Sequence, residues 1–475
     1  MLPHFAGHLS RGAWAWLELP FYPPLSLCSH RRGDWDAQFD RSEYVPITGP
    51  ICATSNMLRS GAALAALAAR AGHAEDVAGY EAALAAALPN YNAYYARNLT
   101  EGTYVDGIEQ TSTAIMPLAI GAVPAAAVPA VTAWLIHDIE TTRSGHLMTG
   151  ASGTRHLLHV LSAAGRTDLA LAVASASTFP SHGWWLTQGA TTCWENWSGV
   201  NDTSHPPPPT HNHIFLCSTS GWVVQRLLGI RPAPGGPAGA AASGYEFGFS
   251  LAPPLVDALP SMAGTLSTPR GAVSLAWAWA GAPMGSFYAA NASLPPGAGG
   301  SLAVPVPGLA DPLVAEGGVA VFAHGAFIPG ARAGVVSAAY DASAGTVTLQ
   351  LLPGAYNVTT ADGAGAQPMR VTACAAPPAA LLLACPPRRA PVHILRAGVM
   401  AGSQRDDAPD GRHRFLVTHA MERLCAGAAE ACEVPWGALV SAAPQLQTDA
   451  RPGERVCATA LCNAANIGSP APEWV

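Results

Sequence analysis

The stretch SGHLMTGASGTRHLLHVLSAAGRTDLALAVASASTFPSHGWWLTQGATTCWENW, residues 144–197, decides how the rest of the chain is read. Its first half carries two helical runs. Apolar residues recur at helical spacing over Thr154–Ala164 and again over Thr167–Ser177, with a short Gly-containing connection between them. Its second half is crowded with aromatic rings and ends on one carboxylate, Glu195, set between Trp194 and Trp197. Two readings of that glutamate stand side by side. It is a loop or helix-start charge with aromatic neighbours, or it is an acid/base group in a sugar cleft. There, indole faces stack on the apolar faces of pyranose rings and carboxylates move protons.

Outward from this stretch, residues 50–230 read as helical. Ser55–Ala71 is rich in Ala and Leu and stops at Gly72. A second helix opens at His73 with Glu75 and Asp76 in its first turn, where the macrodipole favours acids. It runs to about Leu88, where Pro89 is expected to end or kink it. Further segments are Thr111–Ile120, Ala125–Ile139 and Ile214–Leu228. Residues 114–136 carry no charge and are long enough to span a bilayer, yet Pro117, Pro124 and Pro129 divide them. Two short buried helices joined by a turn are expected there. Medium helices in antiparallel succession predict a helical toroid or solenoid, and the lack of a regular repeat disfavours a TPR-like or HEAT-like array.

After Arg231 the texture changes. RPAPGGPAGAAASG, residues 231–244, reads as a loop or linker. Short β-rich runs follow at Ala272–Trp279, Ser301–Val306, Gly318–Phe322, Gly334–Ala339 and Thr346–Leu352, separated by turn residues. This is the pattern of an antiparallel β-sandwich. The fold class is therefore mainly α, then β. The chain divides into an N-terminal segment 1–43, a helical part 44–235, a β-sandwich 236–361 and a Cys-containing tail 362–475 to which no fold is assigned.

Composition narrows the function. Charged residues make up 12% of the 475 and the formal net charge is −7. With no basic block or stripe, nucleic acid and anionic membrane surfaces are poor partners, and a neutral substrate fits better. Of the 10 cysteines, Cys28, Cys52, Cys193 and Cys217 are scattered, whereas Cys374, Cys385, Cys425, Cys432, Cys457 and Cys462 crowd the tail. An even set in a terminal segment hints at a disulfide-stapled module, and the lack of CxxC spacing argues against zinc. Sequons begin at Asn98, Asn196, Asn201, Asn291 and Asn357 and, with the cysteines, lean towards a secretory route. The opening MLPHFAGHLSRGAWAWLELPFYPP lacks the apolar run of a signal peptide, which leaves the compartment open.

Few other residues suggest chemistry. Gly33-Asp34-Trp35-Asp36 is a second aromatic–acid cluster, readable as a sugar-contacting loop or a solvated turn. His211 and His213 flank Asn212 without a third liganding group, so no metal is expected. No G-x-S-x-G elbow, G-x-G-x-x-G fingerprint or P-loop is present in the required context, and no nucleotide or other cofactor is expected.

The run 144–197 resembles the inverting α-L-rhamnosidases of bacterial type. The resemblance rests on His146-Leu147, Thr149-Gly150, Gly153-Thr154, Gly165-Arg166, Asp168-Leu169-Ala170, Pro180-Ser181, Gly183 and the long element Gln188 to Trp197. Asn212-His213, Ser218, Trp222, Gly229-Ile230 and the earlier Gly33-Asp34-Trp35 extend it over roughly residues 30–360. The resemblance implies the later helices of an (α/α)6 six-hairpin toroid followed by a β-sandwich. It implies a glycoside hydrolase acting on rhamnose-containing glycosides or oligosaccharides, with Glu195 as general base. His213 would contact substrate, Asp34 and Trp35 would line the rhamnose pocket, and Trp194 and Trp197 would form the wall behind the base. Asp106, Glu109 and Gln110 align with an active-face loop.

Three departures from the family pattern bear on activity. SHPPPPTH, residues 204–211, lengthens the connection between Glu195 and His213 with a stiff extended stretch. Cys217 stands before the family's serine. The R-D-E-R-type motif that carries the family's general acid upstream of G-D-W has no counterpart ahead of Gly33; Asp36, Asp40 and Glu43 are the nearest acids but do not match its position. The toroid is therefore expected to be incomplete, either as a fragment or as a remnant needing a missing barrel half or a second copy to cover its inner faces. A non-catalytic carbohydrate-binding protein is the second reading, and another (α/α)6 hydrolase or lyase of neutral sugars the third.

Overall fold

The computed structural model describes residues 48–105, 109–199, 210–234, 243–256, 258–279, 288–306, 309 and 311–363. Further on it describes residues 369–375, 381–384, 389–400, 431–435, 438 and 455–464. The chain divides into two compact units, one running to Trp222 and taking in Pro234–Ser243, the other made of Val223–Ala233 and the chain from Gly244.

The first unit opens with a hairpin of long helices, α1 (Thr48–Ala71) and α2 (Ala74–Tyr95). Ala65, Ala68 and Tyr80 pack near the turn. At the far end the Ser55 hydroxyl lies 2.9 Å from the Tyr91 phenol, and Thr54 lies 3.0 Å from that of Tyr95. These ties explain why α2 does not stop at Leu88. Pro89 lies inside the helix. It removes one backbone bond, but burial of Tyr91 and Tyr95, 0% and 2% exposed, holds the last two turns. The chain then forms a small hairpin, β1 (Ala96–Asn98) with β2 (Thr103–Tyr104). Its turn is seated by Gly102, where a Cβ would collide with the backbone carbonyl of Ala130.

The region expected as Thr111–Ile120 is a buried π-helical turn, Thr111–Ile115, running into α3 (Met116–Ala119). A 3-10 turn, Ala125–Ala127, leads into α4 (Val128–His137), which relaxes into a second π turn, Asp138–Thr142. The uncharged stretch 114–136 is thus two short helices joined by a turn. No helix among the described residues is long and apolar enough to cross a membrane. The helices α5 (Ala151–Ala163) and α6 (Thr167–Ser175) follow as the spacing predicts, and α7 (His182–Thr187) was not foreseen. Its start is capped by Ser181, whose hydroxyl accepts from the Trp184 N–H at 2.9 Å. The expected helix Ile214–Leu228 is broken into a 3-10 turn, Ile214–Leu216, α8 (Thr219–Trp222) and a π turn, Val223–Leu228. Trp222 anchors this part, buried and donating to Ser162 Oγ at 2.9 Å. Among the described residues the helices do not close a barrel.

Polar ties hold this unit from within. The Gln110 side chain donates to Asp138 Oδ2 at 2.8 Å and accepts from the Met148 N–H at 2.8 Å, joining three segments. Arg166, largely buried, reaches Glu140 at 2.7 Å and Asp168 at 3.0 Å.

The second unit begins with β3 (Ile230–Pro234) and β4 (Ser243–Leu251), both inside or beside the stretch read as linker. The strands β5 (Ser261–Thr268), β6 (Gly271–Trp279), β7 (Tyr288–Leu294), β8 (Gly300–Pro305) and β9 (Pro312–Glu316) follow. Next come β10 (Val319–Ala323), β11 (Ala326–Phe327), β12 (Val335–Asp341), β13 (Thr346–Leu351) and β14 (Gly354–Asp362). They form a seven-stranded sheet, β11-β10-β9-β14-β7-β6-β5, and a five-stranded sheet, β12-β13-β8-β4-β3. The predicted β6, β8, β10, β12 and β13 stand within a residue or two of their expected limits. One pairing, β4 with β8, is parallel. Inward residues alternate along β6 as Val273, Leu275, Trp277 and Trp279, and along β13 as Val347, Leu349 and Leu351. Both sets enter one core with Phe249, Leu302 and Val358, which is the packing of a β-sandwich. Strands β15 (Met369–Ala375), β16 (Leu381–Ala384), β17 (Arg389–Met400), β18 (Ala431–Val434) and β19 (Arg455–Ala464) form two further small sheets. The tail cysteines lie outside the described side chains.

Gln110 gives a direct test of the polar ties. Gln110→Leu takes one donor from the buried Asp138 carboxylate, which keeps Thr142 and Arg143, and strands the buried Met148 N–H, a loss of about 1–3 kcal/mol. The expected outcome is a lower urea midpoint at unchanged slope; a midpoint equal to that of the parent chain would show that the clamp contributes nothing.

Candidate active site

Glu195 is placed by a backbone clasp. Its N–H donates to the Thr210 carbonyl at 3.0 Å, and the His213 N–H donates to the Cys193 carbonyl at 2.8 Å. The Thr192 hydroxyl donates to the His211 carbonyl, and a disulfide joins Cys193 to Cys217. Two short segments that flank the Pro-rich connection are thereby laid side by side. The connection itself, from 200 to 209, lies outside the described residues, but its two ends meet at Glu195 and Thr210.

The clasp brings three side chains together. Glu195 Oε2 accepts from the Thr210 N–H at 2.8 Å and from the Thr210 hydroxyl at 3.0 Å. The same hydroxyl lies 2.9 Å from His213 Nδ1, and Nδ1 is 3.7 Å from Oε2. With its proton directed at Oε2, the Thr210 hydroxyl is free to accept from His213, so the order is imidazole, hydroxyl, carboxylate. The Thr210 N–H holds the Glu195 carboxyl below the usual carboxylate range, with the Thr210 hydroxyl and His213 adding to it and partial burial opposing. Glu195 is therefore ionised at neutral pH, the state a proton acceptor needs. Oε1 carries no hydrogen bond among the described residues.

Behind the carboxylate lies an aromatic stack. Trp185 and Trp197 stack with ring centroids 4.9 Å apart, and His182 meets both edge-on. Trp194 stands 5.9 Å from Trp185 on one side and stacks on His211 on the other. Trp194 and Trp197 are 5% and 0% exposed. Trp197 Nε1 donates to the Thr149 carbonyl at 2.7 Å, and Trp185 Nε1 donates to the Trp197 carbonyl. Gly199 closes the turn after Trp197 at φ +73°, where a Cβ would strike the six-membered ring of Trp194. The two tryptophans on either side of Glu195 thus form a packed wall whose faces are taken by other rings. The ring partner open to solvent beside His213 is Phe215, 52% exposed at 4.3 Å between centroids.

Of the candidate residues, the structure brings Glu195 and His213 together through Thr210 and sets Trp194 and Trp197 in the wall. Asp34, Trp35, Asp36, Asp40, Glu43 and Asp106 lie outside the described residues. Glu109 and Gln110 are buried. Glu109 Oε2 accepts from Ser112 at 2.8 Å, and Gln110 is the internal clamp rather than a group facing a cleft. Several other residues of the 144–197 run are scaffold. Thr149 and Thr154 bond each other at 2.8 Å, Arg166 is ion-paired, and Ser181 caps a helix. Among the described residues no group of three or more His, Cys, Asp and Glu is arranged to hold a metal ion. Sequence reasoning missed Thr210 and the Cys193–Cys217 bridge. The available signal was positional: each cysteine lies within four residues of a candidate site residue.

Residues 24–227 match the model of the bacterial alpha-L-rhamnosidase six-hairpin glycosidase domain. An alpha-L-rhamnosidase of Streptomyces avermitilis is 34% identical over 128 residues, covering 26% of this chain and 12% of that protein. The alpha-L-rhamnosidase structure from Dictyoglumus thermophilum superposes with a TM-score of 0.60 at 21% identity, covering 75% of this chain and 37% of that one. The crystal structure of Streptomyces avermitilis alpha-L-rhamnosidase complexed with L-rhamnose superposes with a TM-score of 0.54 at 24% identity, covering 69% and 28%. This chain spans well under half the length of each.

The bridge that closes the clasp spans 24 residues of sequence. Loop-closure entropy for a ring of that size gives about 3 kcal/mol of stabilisation. The Cys193→Ala/Cys217→Ala double variant is expected to lose that amount in chemical denaturation under oxidising conditions. Unchanged stability would mean the backbone bonds hold the clasp alone.

Proposed function

Because residues 24–227 belong to the bacterial α-L-rhamnosidase six-hairpin glycosidase family, we propose that this chain hydrolyses terminal α-L-rhamnose from a glycoside or oligosaccharide, with inversion and with Glu195 as general base. The observation that carries the reading is the state of the carboxylate. One oxygen of Glu195 accepts from two donors of Thr210, its pKa is held down, and among the described residues the other oxygen has no hydrogen bond.

In the proposed reaction Oε1 takes a proton from a water whose oxygen attacks the anomeric carbon. The bond from that carbon to the leaving oxygen breaks on the opposite face; a sugar alkoxide departing there needs a proton from a general acid that none of the candidate site residues supplies, whereas a nitrophenolate leaves without one. The two carboxyls of an inverting site stand roughly 6.5–9.5 Å apart, which leaves room for the water. His213, engaged through Nδ1, keeps Nε2 for a substrate hydroxyl, and Asp34 and Trp35 would line the sugar pocket. The buried tryptophans behind Glu195 keep its wall rigid and bring no charge. The low charge of the chain suits a neutral sugar. A relative crystallised with L-rhamnose supports the same substrate class.

The test uses an aryl α-L-rhamnoside with a nitrophenolate leaving group. Such a group departs without proton help, so the assay reads the base. Glu195→Gln keeps the side-chain shape but cannot accept a proton. Its kcat is expected to fall by about 10²–10⁴-fold while rhamnose binding measured by calorimetry is retained. Unchanged turnover would remove Glu195 from the mechanism.

The pH profile gives a second test. A hydrogen bond to the charged form lowers a carboxyl pKa, so removing it raises the pKa. Activity that needs ionised Glu195 is present above that pKa and lost as pH falls through it. Thr210→Val deletes the hydroxyl but keeps the backbone N–H, the larger influence. The acid limb of kcat/KM is therefore expected to move part of the way up, towards the ordinary carboxylate range, while Thr210→Ser restores it. An acid limb that stays in place would separate Thr210 from the base.

A further inference from the structure

We propose that Asn98 is an N-glycan acceptor, its side-chain amide nitrogen presented outward from a rigid turn. The inference does not rest on the rhamnosidase reading. Asn98-Leu99-Thr100 is one of the acceptor tripeptides in the chain, and it occupies the tip of the β1–β2 hairpin. Asn98 Oδ1 accepts from the Thr100 N–H at 3.1 Å and the Glu101 N–H at 3.2 Å, an Asx turn. With the oxygen held inward by two donors, Nδ2 makes no hydrogen bond among the described residues. Asn98, Thr100 and Glu101 are all exposed, and the turn is anchored from beneath by Gly102 against Ala130. A bulky polar group at Nδ2 therefore displaces nothing.

The other described sequons are built differently. Asn196 lies between the buried Trp194 and Trp197, is only half-exposed, and its Oδ1 accepts from the Gly199 N–H at 2.8 Å inside the wall of the candidate site. Asn291 and Asn357 face each other across β7 and β14, and Asn357 Nδ2 donates to Asn291 Oδ1 at 2.8 Å. A glycan on Asn357 takes the donor of that bond, and one on Asn291 crowds the strand directly opposite. Among the described sequons, Asn98 alone combines exposure with a carboxamide oriented by its own turn.

The Cys193–Cys217 bridge supplies an independent reason to place the chain where such transfer occurs, since disulfides persist in oxidising, secretory compartments. The donor is an oligosaccharide linked to a lipid diphosphate. A bond forms between Nδ2 and the anomeric carbon, the bond from that carbon to the phosphate oxygen breaks, the lipid diphosphate leaves, and the amide proton passes to the transferase.

The experiment is secretion of the full chain from a eukaryotic cell behind a cleavable leader, followed by peptide mapping after treatment with an amide-cleaving N-glycosidase. Cleavage leaves aspartate where a glycan stood. Asn98 is expected as aspartate and Asn196 as asparagine. Asn98→Gln and Thr100→Ala should each remove one glycan's mass from the intact protein. Thr100→Ala keeps Asn98 and its backbone turn, so it guards against loss through misfolding. Unmodified Asn98 in the secreted chain overturns the proposal, and so does an intact mass that Asn98→Gln leaves unchanged.

Discussion

The pairing of residues 192–195 with 210–213 is the constraint on which the candidate site depends. Backbone bonds from Glu195 to Thr210 and from His213 to Cys193 set the register, and the Cys193–Cys217 bridge locks it. A different pairing would take Glu195 away from Thr210, and Thr210 is the group that links it to His213. Everything chemical about the site follows from that register. Thr210 meets the carboxylate, the imidazole meets Thr210, and the other carboxylate oxygen has no partner among the described residues.

The aromatic wall works on the other face of the same segment. Trp194 and Trp197 enter a stack with Trp185, His182 and His211, and their ring nitrogens or neighbouring carbonyls are hydrogen-bonded inside it. A ring buried in this way contributes area and rigidity rather than a sugar platform. The Glu195 segment is thus held from behind by packing and from the side by hydrogen bonds, an arrangement that limits how far the carboxylate can move.

Much of the run that carries the family resemblance has this supporting character. The Thr149 carbonyl receives Trp197, Arg166 joins Glu140 to the start of α6, and Ser181 caps α7. The first two of these tie elements far apart in sequence, and the third fixes the start of the helix that carries Trp185. The specificity of the sequence match therefore reflects the geometry that positions Glu195 as much as the reaction itself. Gln110 is a related case. Its alignment suggested an active-face loop, and the buried amide is engaged by Asp138, Met148 and the His146 carbonyl.

The sequence by itself determined the order of α then β, most helices of the first unit, and five strands of the sandwich, because apolar periodicity records which face is buried. It also singled out Glu195 and His213. Of its two readings of Pro89, a helix end or a kink, the end does not occur, since burial of Tyr91 and Tyr95 outweighs one lost backbone bond, and that weight is visible only in packing. Strands such as β5 and β7 went unseen because small residues, among them Ala, Ser and Gly, carry little β signal on their own and are held by their neighbours. Only the tertiary structure decided that Thr210 bonds Glu195, that Cys193 meets Cys217, and that Trp194 and Trp197 face inward. Each of these joins residues across a connection whose length and composition say nothing about where its ends meet.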